Sequence, residues 1–309
     1  MNDNMKSVII SGATGAVGIA LINEMVSHDI KVLVLTHKNS QRNRLIPKHP
    51  LVSTVDCSLD NMQHSYVDGS DIQYDVFYHL AWAGTTGNDR NNMSLQNQNV
   101  KYALDAVDLA SRMRCKVFVG TGSQAEYGRF EGKLSETTPV FPENGYGIAK
   151  LCAGQMTHER AHQLGMKQIW ARILSVYGPY DGEQSMVMSS IHKMMHGERT
   201  SFTKGEQMWD YLYSKDAAKA LYLLGENDLD GVYCLGSGNA RPLKEYITTI
   251  RNCINPDLEI GLGDIPYSER QVMYLCADIS KLQKDTGFTV KYDFKTGINE
   301  TMQSIIKQQ

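Results

Sequence analysis

The run ENGYGIAKLCAG, residues 143–154, sets Tyr146 and Lys150 four residues apart just past a glycine. Side chains at i and i+4 share one helix face, so a phenol and an ammonium here can address the same ligand. A neighbouring cation favours the phenolate and brings its pKa toward working pH, which suits a proton donor or acceptor. Spacing alone does not single out this pair, because Tyr211 and Lys215 in YLYSK match it equally well. Position separates them. Tyr146 follows Ser123, the last residue of a β-rich run, by 23 residues, whereas no such strand precedes Tyr211. Tyr146–Lys150 therefore reads as chemistry and Tyr211–Lys215 as a surface pair.

A second constellation opens the chain. SGATGAVG places Gly12, Gly15 and Gly18 between an apolar run and a helical pattern, with Thr14, Ala16 and Val17 between and beside them. Glycines at such a turn let backbone N–H groups approach a diphosphate and let helix and strand pack closely, while the helix N-terminus favours the anion. The spacing is G-x-x-G-x-x-G and departs from the standard dinucleotide fingerprint. An enzyme that uses NAD needs an acid at the end of its second strand to hold the adenosine ribose. Thr36, His37 and Lys38 stand there, followed by Arg42 and Arg44. These residues welcome a 2′-phosphate, so NADP(H) is expected ahead of NAD(H).

The elements that must position these groups alternate. Strand-like runs cover 6–11, 31–36, 51–57, 74–81, 116–123 and 167–179; helical patterns begin after Gly15, span about 94–113, and open at Tyr146. Alternation of this kind implies right-handed crossovers and a parallel sheet with helices on both faces. After about residue 175 the pattern changes to short helices and late strands such as GVYCLGSG (231–238), suggesting a smaller second lobe. The expected architecture is α/β: a Rossmann-type doubly wound parallel sheet over residues 1–174 and a substrate lobe over 175–309, packed closely, with segments returning to the first domain.

Composition bounds the function. The chain has 309 residues, 42% of them hydrophobic and 21% charged, enough for an ordinary core. A net charge of -3 leaves no strong basic field, so nucleic acid is not expected as a partner. The six cysteines form no C-x-x-C pair, which argues against a zinc site or disulfide framework, and no metal is expected. No signal-like N-terminus and no run of eighteen apolar residues is present, so no membrane association and a cytoplasmic location are expected. His79, between apolar strand residues, reads as a hydrogen-bonded core histidine, and the Met-rich run 185–197 as packing.

Taken in order, GATGAVG, DCSLD, HLAWAG, TGSQAEYG, YGIAK, RILSVYGP and ADISK resemble the extended short-chain dehydrogenase/reductases, in their nucleotide-sugar epimerase/dehydratase branch. The resemblance runs over nearly the whole chain. It implies a nicotinamide cofactor and a nucleoside-diphosphate sugar substrate, with Ser123, Tyr146 and Lys150 as the catalytic set. It implies Asp56 and Cys57 at the adenine, Leu80, Ala81 and Ala83 along the cofactor, and Asn99 as a supporting helix asparagine. Ser123, Gln124, Ser175 and Arg270 match substrate positions. It also implies a homodimer through a four-helix bundle built from helices at about 94–113 and 146–164, with Leu151, Ala153, Met156 and Ala161 as its apolar stripe. The departures matter. Gln124 and Ala125 replace the Asp-Glu pair of the 4,6-dehydratases, and Ala125 and Tyr180 replace the Cys and His of the 3,5-epimerase/reductases. What is left is a 4-ketoreductase, which the basic loop at 36–44 favours and which would reduce a nucleotide-linked 4-keto-6-deoxy sugar with Tyr146 as proton donor, or alternatively a C4 epimerase, with a non-catalytic dinucleotide sensor as the reading from another class.

Overall fold

A computed structural model describes residues 5–65 and 73–308. Its centre is a seven-stranded sheet in which every strand pairs in parallel with its neighbours. The chain enters through β1 (Ser7–Ser11), α1 (Ala16–Ser27), β2 (Lys31–Thr36), β3 (Val52–Asp56) and β4 (Val76–His79). It continues through α2 (Met93–Arg112), β5 (Val117–Ser123), α3 (Gly145–Gln163) and β6 (Lys167–Ile173). Strands buried on both faces need apolar residues at successive positions rather than strict alternation, and VIIS, VLVL and VFVG supply them. Alternate residues then feed two cores. Val8, Ile10, Val32 and Val34 pack with α1, whereas Ile9, Leu33, Phe77 and Phe118 pack with Ala106, Val107 and Ala110 of α2.

The second half alternates between the two bodies. β7 (Ser175–Tyr177), α4 (Met186–Met195), β8 (Thr200–Phe202), β9 (Met208–Trp209) and β10 (Tyr211–Tyr213) lead into α5 (Ser214–Glu226). β11 (Gly231–Leu235), β12 (Arg241–Pro242), α6 (Leu243–Ile254), β13 (Ile260–Leu262), α7 (Ser280–Thr286) and α8 (Phe294–Gln308) complete the chain. The helices α4, α6 and α8 share a separate core around Tyr177, Ile191, Ile247 and Ile298.

Two expectations change. The run 167–179 is not one strand: β6 ends at Ile173, the Leu174 N–H donates to the Leu235 carbonyl, and β7 turns away to pair with β10. GVYCLGSG does not belong to the smaller lobe. Its residues 231–235 are β11, which pairs with β6 from Gly231↔Ile169 to Leu235↔Ile173 and forms one edge of the main sheet. The reason is topological: α5 packs against α1, and the crossover through it returns the chain to the sheet.

The strand order β11-β6-β5-β4-β1-β2-β3 reverses between β1 and β4. Open α/β sheets bind ligands at such a reversal, in the crevice beyond the carboxyl ends of the strands. The glycine loop leaves β1 at that point.

Candidate active site

Ser123 is the last residue of β5, a strand buried at all seven positions. Its hydroxyl accepts the Ala125 N–H at 3.2 Å, and its own N–H donates to the Glu126 carboxylate at 2.7 Å, a reciprocal cap on the short turn Gln124–Glu126. Glu126 is fully buried; it pairs with Arg172 at 2.7 Å and accepts the Trp170 indole N–H at 3.1 Å. Arg172 also donates to the Tyr127 hydroxyl at 3.0 Å, which meets Cys234 of β11 at 2.9 Å. The glycine in TGS is obligatory, because a Cβ on Gly122 would lie 2.4 Å from both Glu126 Oε1 and Trp170 Nε1. The same indole presses on Gly154, where a Cβ would come within 2.8 Å of it, so α3 lies close against β5 and β6.

This closeness brings the tyrosine to the serine. The Asn144 side chain caps α3 by accepting the Gly147 N–H at 2.8 Å, and Asn91 accepts the Gly145 N–H at 3.1 Å. Tyr146 is buried, with the Ser123 hydroxyl as its polar neighbour, and meets Trp82 edge-on at 6.1 Å between ring centres. Burial pushes its phenol pKa up, while the neighbouring Ser123 hydroxyl and the Arg90 charge oppose the shift. Lys150 is buried; its ammonium donates to the Thr121 carbonyl at 2.7 Å and lies 3.8 Å over the Trp82 ring. Burial lowers the Lys150 pKa to about 7, with the Glu126 charge pulling the other way. Arg90 sits on the Tyr146 ring at 4.2 Å and donates to the Thr85 carbonyl at 3.1 Å. Sequence reasoning missed Arg90 and Trp82. They arrive from the β4–α2 connection, at no fixed spacing from Tyr146.

The crevice beside the glycine loop encloses about 390 Å³ and is lined by Gly12, Thr14, Thr36, His37, Cys57, Ala81 and Ala83. Gly12 has φ +71°, and a Cβ there would strike the Ala81 backbone at 2.4 Å. Gly18 lets α1 rest on Ala13, where a Cβ would come within 2.5 Å. Nothing lies within 4 Å of where a Gly15 Cβ would stand, and no side chain caps α1 or places an acid in its first turn. Those open first-turn N–H groups fit the diphosphate of a dinucleotide. Asn99 clamps the wall by donating to the Ala83 carbonyl at 2.8 Å and accepting the Ala83 N–H at 3.0 Å. Val17 and Leu80 pack against the main core, and Ala16, at the start of α1, lines a separate groove of about 710 Å³ that contains none of Ser123, Tyr146 and Lys150.

The basic loop differs from expectation. Lys38 and Arg42 do not line the crevice: Arg42 is drawn aside by carbonyls, donating to Thr14 at 2.7 Å and Tyr180 at 3.1 Å. His37, Ser40 and Asn43 line it instead, and sequence reasoning passed over the last two. Asp56 also lies outside the lining and accepts the Thr36 hydroxyl at 3.0 Å. His79 is the core histidine expected: it meets Ser11 at 2.8 Å, and burial holds its pKa down to about 3, so it is neutral.

Beyond Ser123 a cleft of about 260 Å³ brings Gln124 and Arg270 together with Asn91 and Asn144. Ser175 lies apart from it, accepting the Trp209 indole N–H at 2.9 Å. The matched pair Tyr211 and Lys215 is not a surface pair. Tyr211 belongs to β10 and packs against Tyr177, Tyr246 and Phe294, while Lys215 lies in α5 and pairs with Glu300 at 2.6 Å.

The model of the NAD dependent epimerase/dehydratase family matches residues 8–236. The chain belongs to that family. Within the NAD dependent epimerase/dehydratase family, CDP-abequose synthase of Salmonella typhimurium is 24% identical over 306 residues, covering 96% of this chain and 98% of its own. The solved UDP-N-acetylglucosamine 4-epimerase of Methanobrevibacter ruminantium, in complex with UDP-N-acetylmuramic acid, superposes with a TM-score of 0.88 at 21% identity. That likeness covers 99% of this chain and all of the other. A UDP-glucuronic acid 4-epimerase of Bacillus cereus, in complex with UDP-glucuronic acid and NAD, gives 0.84 at 17% identity and covers 98% and 100% of the two chains. The two solved structures share this chain's fold over nearly its whole length. Among the described residues no helix is long and apolar enough to cross a membrane.

Proposed function

We propose that the chain is a nucleotide-sugar oxidoreductase that reduces a nucleotide-linked 4-keto-6-deoxy sugar at C4, with NADPH preferred. The observation that carries this reading is the convergence of Ser123, Tyr146 and Lys150 between Trp82, which lines the dinucleotide crevice and touches Tyr146 and Lys150, and Gln124, which follows Ser123 and lines the cleft of Arg270. The nicotinamide, when bound, supplies the hydride. The chain's own residues supply the rest. Tyr146 gives its phenolic proton to the sugar oxygen, and Ser123 holds that oxygen through its hydroxyl. Lys150 and Arg90 stabilise the phenolate left behind. The Gly15 turn and the α1 N-terminus hold the diphosphate of the cofactor, and Arg270 offers a guanidinium fork to that of the sugar nucleotide. Gln124 and Ala125 cannot exchange protons as a carboxylate pair would, which disfavours water elimination. Structurally similar proteins in complex with UDP-N-acetylmuramic acid and UDP-glucuronic acid support the substrate class.

One observation favours a second reading, a C4 epimerase that retains NAD. The withdrawal of Arg42 and Lys38 from the crevice leaves His37 and neutral donors where a 2′-phosphate would lie. A cofactor assay separates the two. Stoichiometric NADPH oxidation with nucleotide-linked 4-keto-6-deoxy sugars supports the reductase. Tightly held NAD with interconversion of C4 epimers, and no net oxidation, supports the epimerase. Cofactor binding with neither activity overturns both and leaves a dinucleotide sensor.

A further inference from the structure

Away from the crevice, near the C-terminal end of α3, His158 and His162 repeat the i, i+4 spacing with imidazole rings. Their ring centres are 4.1 Å apart. The His162 Nε2 is 3.1 Å from Asp230 Oδ1, on the connection between α5 and β11. One potential ligand atom from each residue lies within 4.8 Å of the others, and among the described residues no other trio of His, Cys, Asp or Glu converges this way.

We propose that His158, His162 and Asp230 bind a divalent transition-metal ion of the zinc type, clipping the helix that carries Tyr146 to the edge strand β11. Three features carry this beyond an ordinary ion pair. A His162–Asp230 pair needs one imidazole, yet a second faces the same carboxylate. A metal ion uses both rings at once, each through one nitrogen, together with the carboxylate. Asp230 is also pre-oriented, because its Oδ1 accepts the Gln168 N–H at 2.8 Å; such outer-shell partners aim metal-binding carboxylates. Two nitrogens and one carboxylate oxygen suit zinc, nickel or copper rather than calcium or magnesium. The cysteine-centred sequence reading overlooked the site because its signal is His-x-x-x-His on a helix, with the third ligand 68 residues further along.

The chain contains its own control. His192 and His196 have the same spacing at the end of α4, but the His196 Nδ1 is 2.7 Å from the His192 carbonyl and no carboxylate completes a trio. The test is calorimetric titration of zinc chloride into the tag-free, full-length protein with its thiols alkylated. One equivalent should bind saturably and raise the melting temperature. Loss of an outer-shell partner alone weakens metal sites by about 10–100-fold, so His158→Gln and His162→Gln should each weaken binding by at least that factor. His192→Gln should bind zinc as wild type does. The half-exposed His158 and exposed His162 can change without disturbing the core, which an unaltered melting temperature in metal-free buffer checks. No saturable binding by wild type, or equal affinity in wild type and His158→Gln, overturns the proposal.

Discussion

The Arg90 guanidinium lies 4.2 Å from the centre of the Tyr146 ring, nearer than the Lys150 ammonium at 5.8 Å. Lys150 is buried with a pKa near 7, so part of its population carries no charge at neutral pH, whereas a guanidinium stays charged. Arg90 is thus the permanent cation at the phenol, where the Glu126 carboxylate opposes it, while the same carboxylate favours the charged form of Lys150. Arg90→Gln should raise the Tyr146 pKa further and move the descending limb of the reductive rate profile to higher pH. Arg90→Lys should restore part of the shift. The difference in tyrosinate absorbance between each protein and its Tyr146→Phe partner reads the pKa without relying on turnover.

Tyr146→Phe keeps the ring against Trp82 and Arg90 and removes only the hydroxyl. Turnover should fall by about 10²–10⁴-fold while cofactor binding is nearly unchanged. Tyr211→Phe should keep both, since its ring serves an aromatic cluster in the other lobe. A Tyr146→Phe protein within a few-fold of wild type would remove the central role assigned to this residue.

Lys150 carries a stability signature as well. Its folded pKa, about 7, lies below the unfolded value near 10.4. The unfolded chain therefore binds more protons between these values, and stability rises with pH across that window. Below about pH 7 the cost of burying the ammonium is fully present. Lys150→Met should weaken cofactor binding, yet raise the apo protein's melting temperature relative to wild type by more at pH 6 than at pH 9. Thermal scans at the two pH values would expose a wrong sign.

Much of the fold was legible because parallel strands covered on both faces write themselves as apolar runs: VLVL at 32–35 could hardly be anything else. The closeness of the three proposed catalytic residues was legible because Tyr146 and Lys150 share one helix, and because Ser123 closes the strand before it. What stayed hidden came from chain segments with no fixed spacing to the site. Arg90 reaches Tyr146 from 56 positions earlier, and Arg42 looked like a phosphate ligand because no sequence shows the carbonyls that claim it. The proposed dimer stripe shows the same limit. Ala153 and Ala161 are wholly buried inside the protomer, whereas Met156 is 46% exposed, and Ile148 on the same helix and Met93 at the start of α2 are exposed as well.

That revised apolar face is the expected dimer surface. Ile148→Glu with Met156→Glu should convert a dimer to a monomer, measured by sedimentation at micromolar concentration. A monomeric wild type would overturn the dimer.

Cofactor choice tests the basic loop. Charge-assisted contacts to a phosphate contribute roughly 1.5–3 kcal/mol, so a retained NADPH preference should be about tenfold or more at low salt. It should shrink with rising salt, because the loop residue that does line the crevice, His37, is exposed and any charge there is screened. Equal efficiency with NADH and NADPH would favour the epimerase reading.

Arg172→Met should cost about 3–5 kcal/mol in denaturant unfolding, because it strands the fully buried Glu126 without its partner. Glu126→Gln with Arg172→Met should recover part of that loss.

The Cys234 contact with Tyr127 has a consequence for biosynthesis. The Tyr127–Arg172–Glu126 chain that holds Ser123 is closed on its far side by β11, a strand made more than a hundred residues after the serine. A nascent chain that has emerged only to Ile173 holds the serine, the tyrosine and the lysine, but its sixth strand is still an open edge and its buried ion pair still wet. Competence arrives late in translation, with the return of Gly231–Leu235, so a ribosome-stalled enzyme cut before that strand would carry every catalytic residue and no finished site.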